Sequence, residues 1–197
     1  MHKDILVCGV GGQGTVLASK LIASAAMNLG HIVHSAETIG MAQRGGSVTS
    51  HIRIGEQVYS PMIPHGNADI ILAFEPAEAV RNLPYLGKDG IVIVSSAPIQ
   101  PVTESLNPTG YDGSNMITYL KSKCKCIVVD PQKLCDSLGS TRYFNVAILG
   151  VAAGCGKLGL DAQTLLKEIE TRVPAKFVNI NKAAFTAGMN VCMTGEI

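Results

Sequence analysis

The chain has 197 residues, 47% of them apolar, and this length is enough for one domain that buries roughly 70% of its unfolded surface. Sixteen basic and fifteen acidic residues leave a formal charge of +1, with no basic block and no tryptophan, which argues against a nucleic-acid-binding face. Residues 1–4 run straight into an apolar segment, and no apolar run approaches the ~20 residues of a membrane span. We therefore expect a single cytoplasmic domain over 1–197, with no membrane partner.

A glycine-rich turn separates an apolar strand over 4–9 from a helical segment over 15–29. Glycine lets the backbone approach a ligand closely, and the free N–H groups of a helix N-terminus attract negative charge. Turns of this kind also serve only to pack a strand against a helix, so both interpretations stay open. The candidate cofactor-binding residues of this turn are Gly9, Gly11, Gly12, Gln13 and Gly14.

The segment after the helix predicts a second strand over 31–36, which completes a strand–helix–strand unit. Glu37 follows this strand, 23 residues after Gly14. In a dinucleotide-binding fold, an acidic residue at that position would bind the ribose of the cofactor. The pattern supports a nicotinamide or flavin cofactor only modestly, because a surface glutamate after a strand is common.

A loop with two adjacent glycines, over 38–46, replaces the crossover helix that a dinucleotide-binding fold would show next. Gln43 and Arg44 precede Gly45 and Gly46, and the planar guanidinium of Arg44 can bind a carboxylate or a phosphate at two points. The alternative for Arg44 is a salt bridge that stabilises the loop.

The next segment, 47–54, alternates apolar and polar residues and predicts a half-exposed strand. A two-residue turn at 55–56 would join it to a partner strand over 57–59. This hairpin would make the sheet mixed.

The rest of the chain alternates strands and helices before it becomes purely helical. Strands are predicted over 69–74, 90–95 and 126–130, and helices over 76–83, 115–123, 131–138, 143–157, 161–171 (with Asp161 as its N-cap) and 176–192. This order predicts an α/β, Rossmann-like three-layer domain with a largely parallel sheet, a hairpin and a helical C-terminal part. Glu75 ends a strand directly before Pro76, so it is either a site residue or a favourable charge at a helix start.

The six cysteines are scattered, and three lie in apolar runs where cysteine acts as a small core residue. In a reducing cytosol we expect free thiols. Cys124, Cys126 and Cys135 could supply part of a zinc site, but structural thiols are favoured, and the closely spaced cysteines of an iron–sulfur site are absent. We therefore expect no metal site. His34 and His51 could act as acid–base groups, although a single histidine on a strand is more often structural.

Two separate motifs together resemble the gamma-type domain of the 2-oxoacid:ferredoxin oxidoreductases. The first is Gly9-x-Gly11-Gly12-Gln13-Gly14, and the second begins at Gln43-Arg44-Gly45-Gly46-Ser47 and continues through Ser50, Ile52 and Arg53. Glu75-Pro76-x-Glu78 and Asn145-x-x-x-Leu149-Gly150 extend the match. The chain is most similar to the indolepyruvate branch of the family, in which this domain is a separate subunit.

The resemblance implies a complex that decarboxylates a 2-oxoacid, here indolepyruvate or another arylpyruvate, transfers the acyl group to coenzyme A and reduces ferredoxin. It implies that Arg44, Gln43 and Glu75 are catalytic and that Gly45, Gly46 and Ser47 join the glycine turn in facing coenzyme A or substrate. Tyr111-Asp112-Gly113 departs from the Gly-Asp-Gly turn of a thiamine site. Thiamine diphosphate, magnesium and [4Fe-4S] clusters are therefore expected on a larger partner subunit, with no cofactor bound tightly to this chain.

Two other functions stay open. A stand-alone nicotinamide-dependent dehydrogenase would use Glu37 on the ribose, although no substrate domain or clear catalytic pair follows. A non-catalytic nucleotide-binding or assembly module would keep the glycine turn without requiring Arg44.

Overall fold

A computed structural model of the chain describes residues 1–39, 45–101, 104, 106 and 110–194. Its strands are β1 Lys3–Val10, β2 Val33–Ile39, β3 Ser47–Ile54, β4 Ala68–Ala73, β5 Leu86–Ser95 and β6 Lys125–Val129. Its helices are α1 Thr15–Asn28, α2 Pro76–Asn82, α3 Ser114–Lys123, α4 Pro131–Cys135, α5 Phe144–Gly154, α6 Ala162–Arg172 and α7 Val178–Thr194. Within these described ranges, no helix has both the length and the apolar character needed to cross a membrane.

The six strands form one mixed sheet in the order β2-β3-β1-β4-β5-β6. The strands β1, β4, β5 and β6 are parallel neighbours, whereas β3 runs antiparallel to both β1 and β2. The predicted Rossmann-like α/β class is confirmed, with one antiparallel strand inserted between the two strands of the first strand–helix–strand unit.

The predicted hairpin is wrong in its second partner. Residues 57–59 form no strand, and β3 pairs instead with β2, from Val33 opposite Ile54 to Ile39 opposite Val48. The physical reason is burial, because most of β3, including the polar Ser50 and His51, lies inside the protein. Because β1 already borders one edge of β3, the backbone groups of the other edge need a second partner, and β2 pairs along seven residues where the segment 57–59 has only three.

Alternate residues of β1 serve two separate apolar clusters on the two faces of the sheet. Ile5 and Val7 belong to the cluster that also contains side chains of α1, α5, α6 and α7, whereas Leu6 and Cys8 belong to the cluster that contains side chains of α2 and α3. Because both faces of β1 are covered, its sequence is apolar at consecutive positions rather than alternating. This covering on two sides produces the three layers that the sequence predicts.

The C-terminal helices pack closely because glycines face their neighbours. A Cβ added at Gly150 of α5 would lie 2.1 Å from the carbonyl oxygen of Phe185 on α7, and one at Gly188 would lie 1.9 Å from that of Ala147. The Asp161 side chain caps α6 as predicted, because its Oδ1 accepts the N–H of Thr164 at 2.8 Å.

The expectation of free thiols throughout is wrong for one pair. Cys155, after α5, is bonded to Cys192 on α7, with their Cα atoms 5.6 Å apart. The close approach of the two glycine-bearing helices brings these residues within bonding distance, although 37 positions separate them. The free cysteines are Cys8, Cys124, Cys126 and Cys135.

Candidate functional site

The parallel strands end at the same edge of the sheet, and the glycine turn lies at that edge. Val10 of β1 pairs with Ser47, which places the start of the antiparallel β3 there as well. Open α/β sheets bind ligands in the crevice outside the carboxyl ends of their strands. The two glycine motifs of the sequence therefore meet at the edge where a ligand is expected.

The two glycine segments are bonded to each other through their backbones. The N–H of Gly11 donates to the carbonyl oxygen of Gly46 at 2.8 Å, and the N–H of Gly45 donates to that of Gly11 at 3.3 Å. The structure thus joins Gly9–Gly14 to Gly45–Ser47, as the shared role of the two motifs requires. Gln43 and Arg44 lie outside the described residues, so their assignment to the site stays a prediction.

Gln13 connects the carboxyl ends of β1 and β4. Its Oε1 accepts the N–H of Val10 at 2.7 Å, and its Nε2 donates to the carbonyl oxygen of Phe74 at 2.8 Å. A Cβ at Gly9 would lie 2.8 Å from the same Oε1 and 2.9 Å from the Cβ of Phe74. Gln13 and Gly9 therefore set the shape of the turn, and the interpretation of Gly9 as a packing residue has direct support.

Gly14 forms the N-terminal cap of α1 in a left-handed conformation, with φ of +85°. It adjoins Asn145 of α5 so closely that an added Cβ would lie 2.4 Å from Nδ2 of that residue. The end of α1, with its unpaired N–H groups, is thereby aligned beside the start of α5, an arrangement that favours a negatively charged group.

A cleft of about 460 Å³ opens beside this helix end. Its polar lining includes Gln13, Ser95, Thr141, Arg142 and Asn145, and the backbone of Gly12 and Gly14 borders it. Arg142 and Asn145 also border a neighbouring groove of about 420 Å³, which is flanked by Tyr143 and Phe177. The cleft offers one guanidinium, two hydroxyls and amide donors, a set that fits an anionic ligand.

Glu75 is buried at the end of β4, only 2% exposed, and both its oxygens are bonded within the chain. Oε2 caps α2 by accepting the N–H of Glu78 at 3.0 Å, and Oε1 accepts the hydroxyl of Tyr111 at 2.5 Å. Burial and the Glu75 carboxylate raise the pKa of Tyr111, so this hydroxyl stays protonated and donates. The structure supports Glu75 as a helix cap, and its catalytic assignment stays a prediction.

Glu37 does not lie where a ribose-binding carboxylate would. Because β3 separates β2 from β1, the strand that carries Glu37 lies two strand spacings, about 10 Å, from the strand that leads into the glycine turn. Its Oε1 accepts the hydroxyl of Ser19 on α1 at 3.3 Å. This topology argues against the dehydrogenase alternative.

Among the described residues that line the cleft there is no histidine and no cysteine. His51 is buried on β3, where its Nδ1 accepts the N–H of Ile63 at 3.2 Å, and burial lowers its pKa. Burial also raises the pKa of the Cys126 thiol to about 11, so this thiol stays protonated at neutral pH. Among the residues the structure describes, no group of three His, Cys, Asp or Glu side chains could hold a metal ion.

Several residues of the edge were not predicted as site residues from the sequence. Ser95 follows directly from an apolar strand, so its position at a carboxyl end was a usable signal. Arg142 and Thr141 gave no such signal, because a short 3-10 turn far along the chain brings them to the cleft. The only sequence signal for Asn145 is its place in the family motif Asn145-x-x-x-Leu149-Gly150.

The chain matches the pyruvate ferredoxin/flavodoxin oxidoreductase family over residues 4–191. It is 36% identical over 189 residues to the indolepyruvate oxidoreductase subunit IorB of Pyrococcus horikoshii, with 94% of each chain covered. It is also 36% identical over 198 residues to IorB of Archaeoglobus fulgidus, with 100% of this chain and 98% of the relative covered.

One solved structure with the same fold is the keto/oxoacid ferredoxin oxidoreductase gamma subunit of Geobacter sulfurreducens, with a TM-score of 0.70, 21% identity, and 98% and 99% of the two chains covered. The sequence match extends over both glycine motifs, which the fold joins at one edge of the sheet. The chain therefore belongs to the pyruvate ferredoxin/flavodoxin oxidoreductase family.

Proposed function

We propose that this chain is the smaller subunit of a 2-oxoacid:ferredoxin oxidoreductase that acts on indolepyruvate or a related arylpyruvate. The observation that carries the proposal is the 36% identity to indolepyruvate oxidoreductase subunits along nearly the whole chain, together with the two bonded glycine segments. The reaction converts the 2-oxoacid and coenzyme A into acyl-CoA and carbon dioxide, and the electrons released reduce ferredoxin.

The cofactors of this reaction belong, in our proposal, to a larger partner subunit in the cytoplasm. That subunit would hold thiamine diphosphate with magnesium, which supplies the decarboxylation chemistry, and the [4Fe-4S] clusters that carry electrons to ferredoxin. The wholly buried Cys8, whose pKa burial raises well above its usual value, is consistent with a core role rather than with a cluster ligand.

The part assigned to this chain is to enclose and orient coenzyme A or the substrate at the partner's active site. Gly9–Gly14 and Gly45–Ser47 form a backbone surface at the sheet edge, and the neighbouring cleft presents Arg142 to an anionic ligand. We also assign Arg44 and Gln43, which adjoin this surface in the sequence, to the binding of the substrate. Excluding water and fixing the orientation of reactants are the contributions expected of such a surface.

The test is reconstitution. The purified chain alone should oxidise no 2-oxoacid, and activity should arise when it is combined with the thiamine- and cluster-bearing subunit, coenzyme A and ferredoxin. Indolepyruvate should give a higher kcat/KM than pyruvate, 2-ketoisovalerate or 2-oxoglutarate. Nicotinamide-dependent oxidation by the isolated chain would overturn the proposal, and a preference for pyruvate would overturn its choice of substrate.

A further inference from the structure

Glu78 is a buried carboxylate of α2 that lies behind the glycine surface rather than on it. It is only 4% exposed. Its Oε2 accepts the hydroxyl of Ser47 at 2.6 Å, and its Oε1 is paired with the guanidinium of Arg81. A buried carboxylate is costly unless it is paired and hydrogen-bonded, and here each oxygen has a partner within the chain.

Ser47 connects this carboxylate to the glycine surface. It is the first residue of β3 and follows Gly46 directly, whose carbonyl oxygen accepts the N–H of Gly11 at 2.8 Å. The contacts therefore run without interruption from Glu78 through Ser47 and Gly46 to Gly11. Arg81 lies on the outer side of Glu78, where most of its side chain is exposed, so the Ser47 contact is the one directed at the site.

We propose that Glu78 is a positioning residue for the site: acting through Ser47, it holds Gly45–Ser47 against the glycine turn. The expected effect on kcat/KM rests on the proposed function, whereas the positioning of Gly45–Ser47 does not. Without the Glu78 carboxylate, the Ser47 hydroxyl loses its acceptor, and the two segments are joined through backbone contacts alone, which are the two bonds of Gly11 and the pairing of Val10 with Ser47. The backbone surface then loses its fixed orientation while the fold persists.

Glu168 supplies a matched control. It is also 4% exposed, it pairs with Arg172 on its own helix, and it accepts a hydrogen bond from Asn28 on another element. Asn28 is the last residue of α1, so the contact lies at the opposite end of that helix from Gly14, about 20 Å away. Removing either carboxylate breaks a similar buried network, but the described contacts of Glu78 lead to Gly11 of the glycine turn, whereas those of Glu168 lead to the far end of α1.

The experiment compares Glu78→Ala, Ser47→Ala and Glu168→Ala in the reconstituted complex. Glu78→Ala and Ser47→Ala should lower kcat/KM for coenzyme A on the order of 10- to 100-fold, because misplacement of an orienting group costs that much. Glu168→Ala should lower the melting temperature as much as Glu78→Ala does and change kcat/KM less than about twofold. Glu78→Gln should restore most activity, because its amide can still bond Ser47.

Hydrogen exchange on the isolated chain tests the positioning without any reaction. The amides of Gly11 and Gly45 should exchange faster in Glu78→Ala and Ser47→Ala than in the parent chain, and should keep their protection in Glu168→Ala. Equal loss of activity in Glu78→Ala and Glu168→Ala, or unchanged exchange at both glycines, would overturn the proposal. A parent complex without 2-oxoacid oxidation would instead contradict the proposed function, and the exchange result would still decide the role of Glu78.

Discussion

The glycines of the turn are required for different reasons at different positions. Gly12 has φ of +105° with open space where a Cβ would lie, whereas Gly9 has crowded surroundings and no such backbone constraint. Gly14 combines both constraints, because its φ is +85° and Asn145 occupies the space beside it. The glycine motif, which the sequence suggests is a single ligand-binding element, thus consists of residues that are required for different structural reasons.

Gly14→Ala should destabilise the protein more than Gly12→Ala. Both substitutions force alanine into a left-handed conformation, which costs about 1–2 kcal/mol. Only Gly14→Ala also pushes a methyl group against Asn145. Urea denaturation should show the larger fall in the free energy of unfolding for Gly14→Ala, and Asn145→Ala in the same chain should recover part of it. Equal losses for the two single variants would contradict this account.

Arg44→Ala should lower turnover in the reconstituted complex while leaving assembly intact, because we assign its guanidinium to the substrate and not to the fold. Arg44→Lys should restore little, since an ammonium keeps the charge but not the two-point geometry. Turnover and gel filtration of each variant complex are the measurements. An unchanged rate for Arg44→Ala would remove this residue from the site.

His51 should make stability fall at mildly acidic pH. Burial lowers the pKa of His51 in the folded protein, whereas in the unfolded chain the imidazole has its ordinary pKa of about 6.5. As pH falls below that value, the unfolded chain therefore binds a proton that the folded protein does not. The free energy of unfolding should therefore be unaffected by this group above that pH and should decrease as pH falls below it. Urea denaturation between pH 7.5 and 5 measures the slope. His51→Gln should reduce the slope, and an identical slope in that variant would refute the assignment.

At the scale of elements, the pairing of α5 with α7 depends on the absence of side chains. Gly150, Gly154 and Gly188 each face the backbone of the opposite helix, with carbonyl oxygens 2.1, 2.6 and 1.9 Å from where a Cβ would lie. The same closeness brings Cys155 to Cys192. The glycines thus allow the backbones of α5 and α7 to lie in direct contact. The helical pattern of the sequence alone does not predict this contact.

Gly150→Ala should destabilise the protein, although the same change inside an ordinary helix stabilises it by about 1 kcal/mol. The added methyl group would overlap the backbone of Phe185, and overpacking costs about 1–3 kcal/mol. In chemical denaturation, the free energy of unfolding should fall most for Gly188→Ala, less for Gly150→Ala and least for Gly154→Ala, because the carbonyl oxygen is nearest to the added Cβ at Gly188 and farthest at Gly154. A gain in stability for Gly150→Ala would contradict the close packing.

At the scale of the whole molecule, the sequence predicts which segments are strands and helices better than it predicts which segments meet. Residues 5–8 of β1 and 70–73 of β4 are continuous apolar runs, so the local sequence is enough to predict them as buried strands. The neighbours of β3 cannot be predicted in this way, because nothing within 47–54 indicates pairing with β1, whose partner residues lie between 37 (47 − 10) and 51 (54 − 3) positions earlier.

Some features of the site could likewise be predicted from the sequence, and others could not. The glycine turn and the second glycine segment could be found from the sequence because backbone geometry restricts the residue type. The bond between Ser47 and Glu78 joins residues 31 positions apart, and that between Asn28 and Glu168 joins residues 140 apart. Such partners are set by the packing of α2 on the sheet and of α6 on α1, and no local pattern encodes them.

The insertion of β3 beside β1 has a consequence for the order of events during translation. The first 39 residues contain β1, the glycine turn, α1 and β2, yet the two strands are not neighbours and cannot pair with each other. Both must wait for β3, and β1 gains its second neighbour only when β4 is available. We expect a peptide of residues 1–39 alone to stay unstructured by circular dichroism, because neither of its strands has a partner until later strands are present.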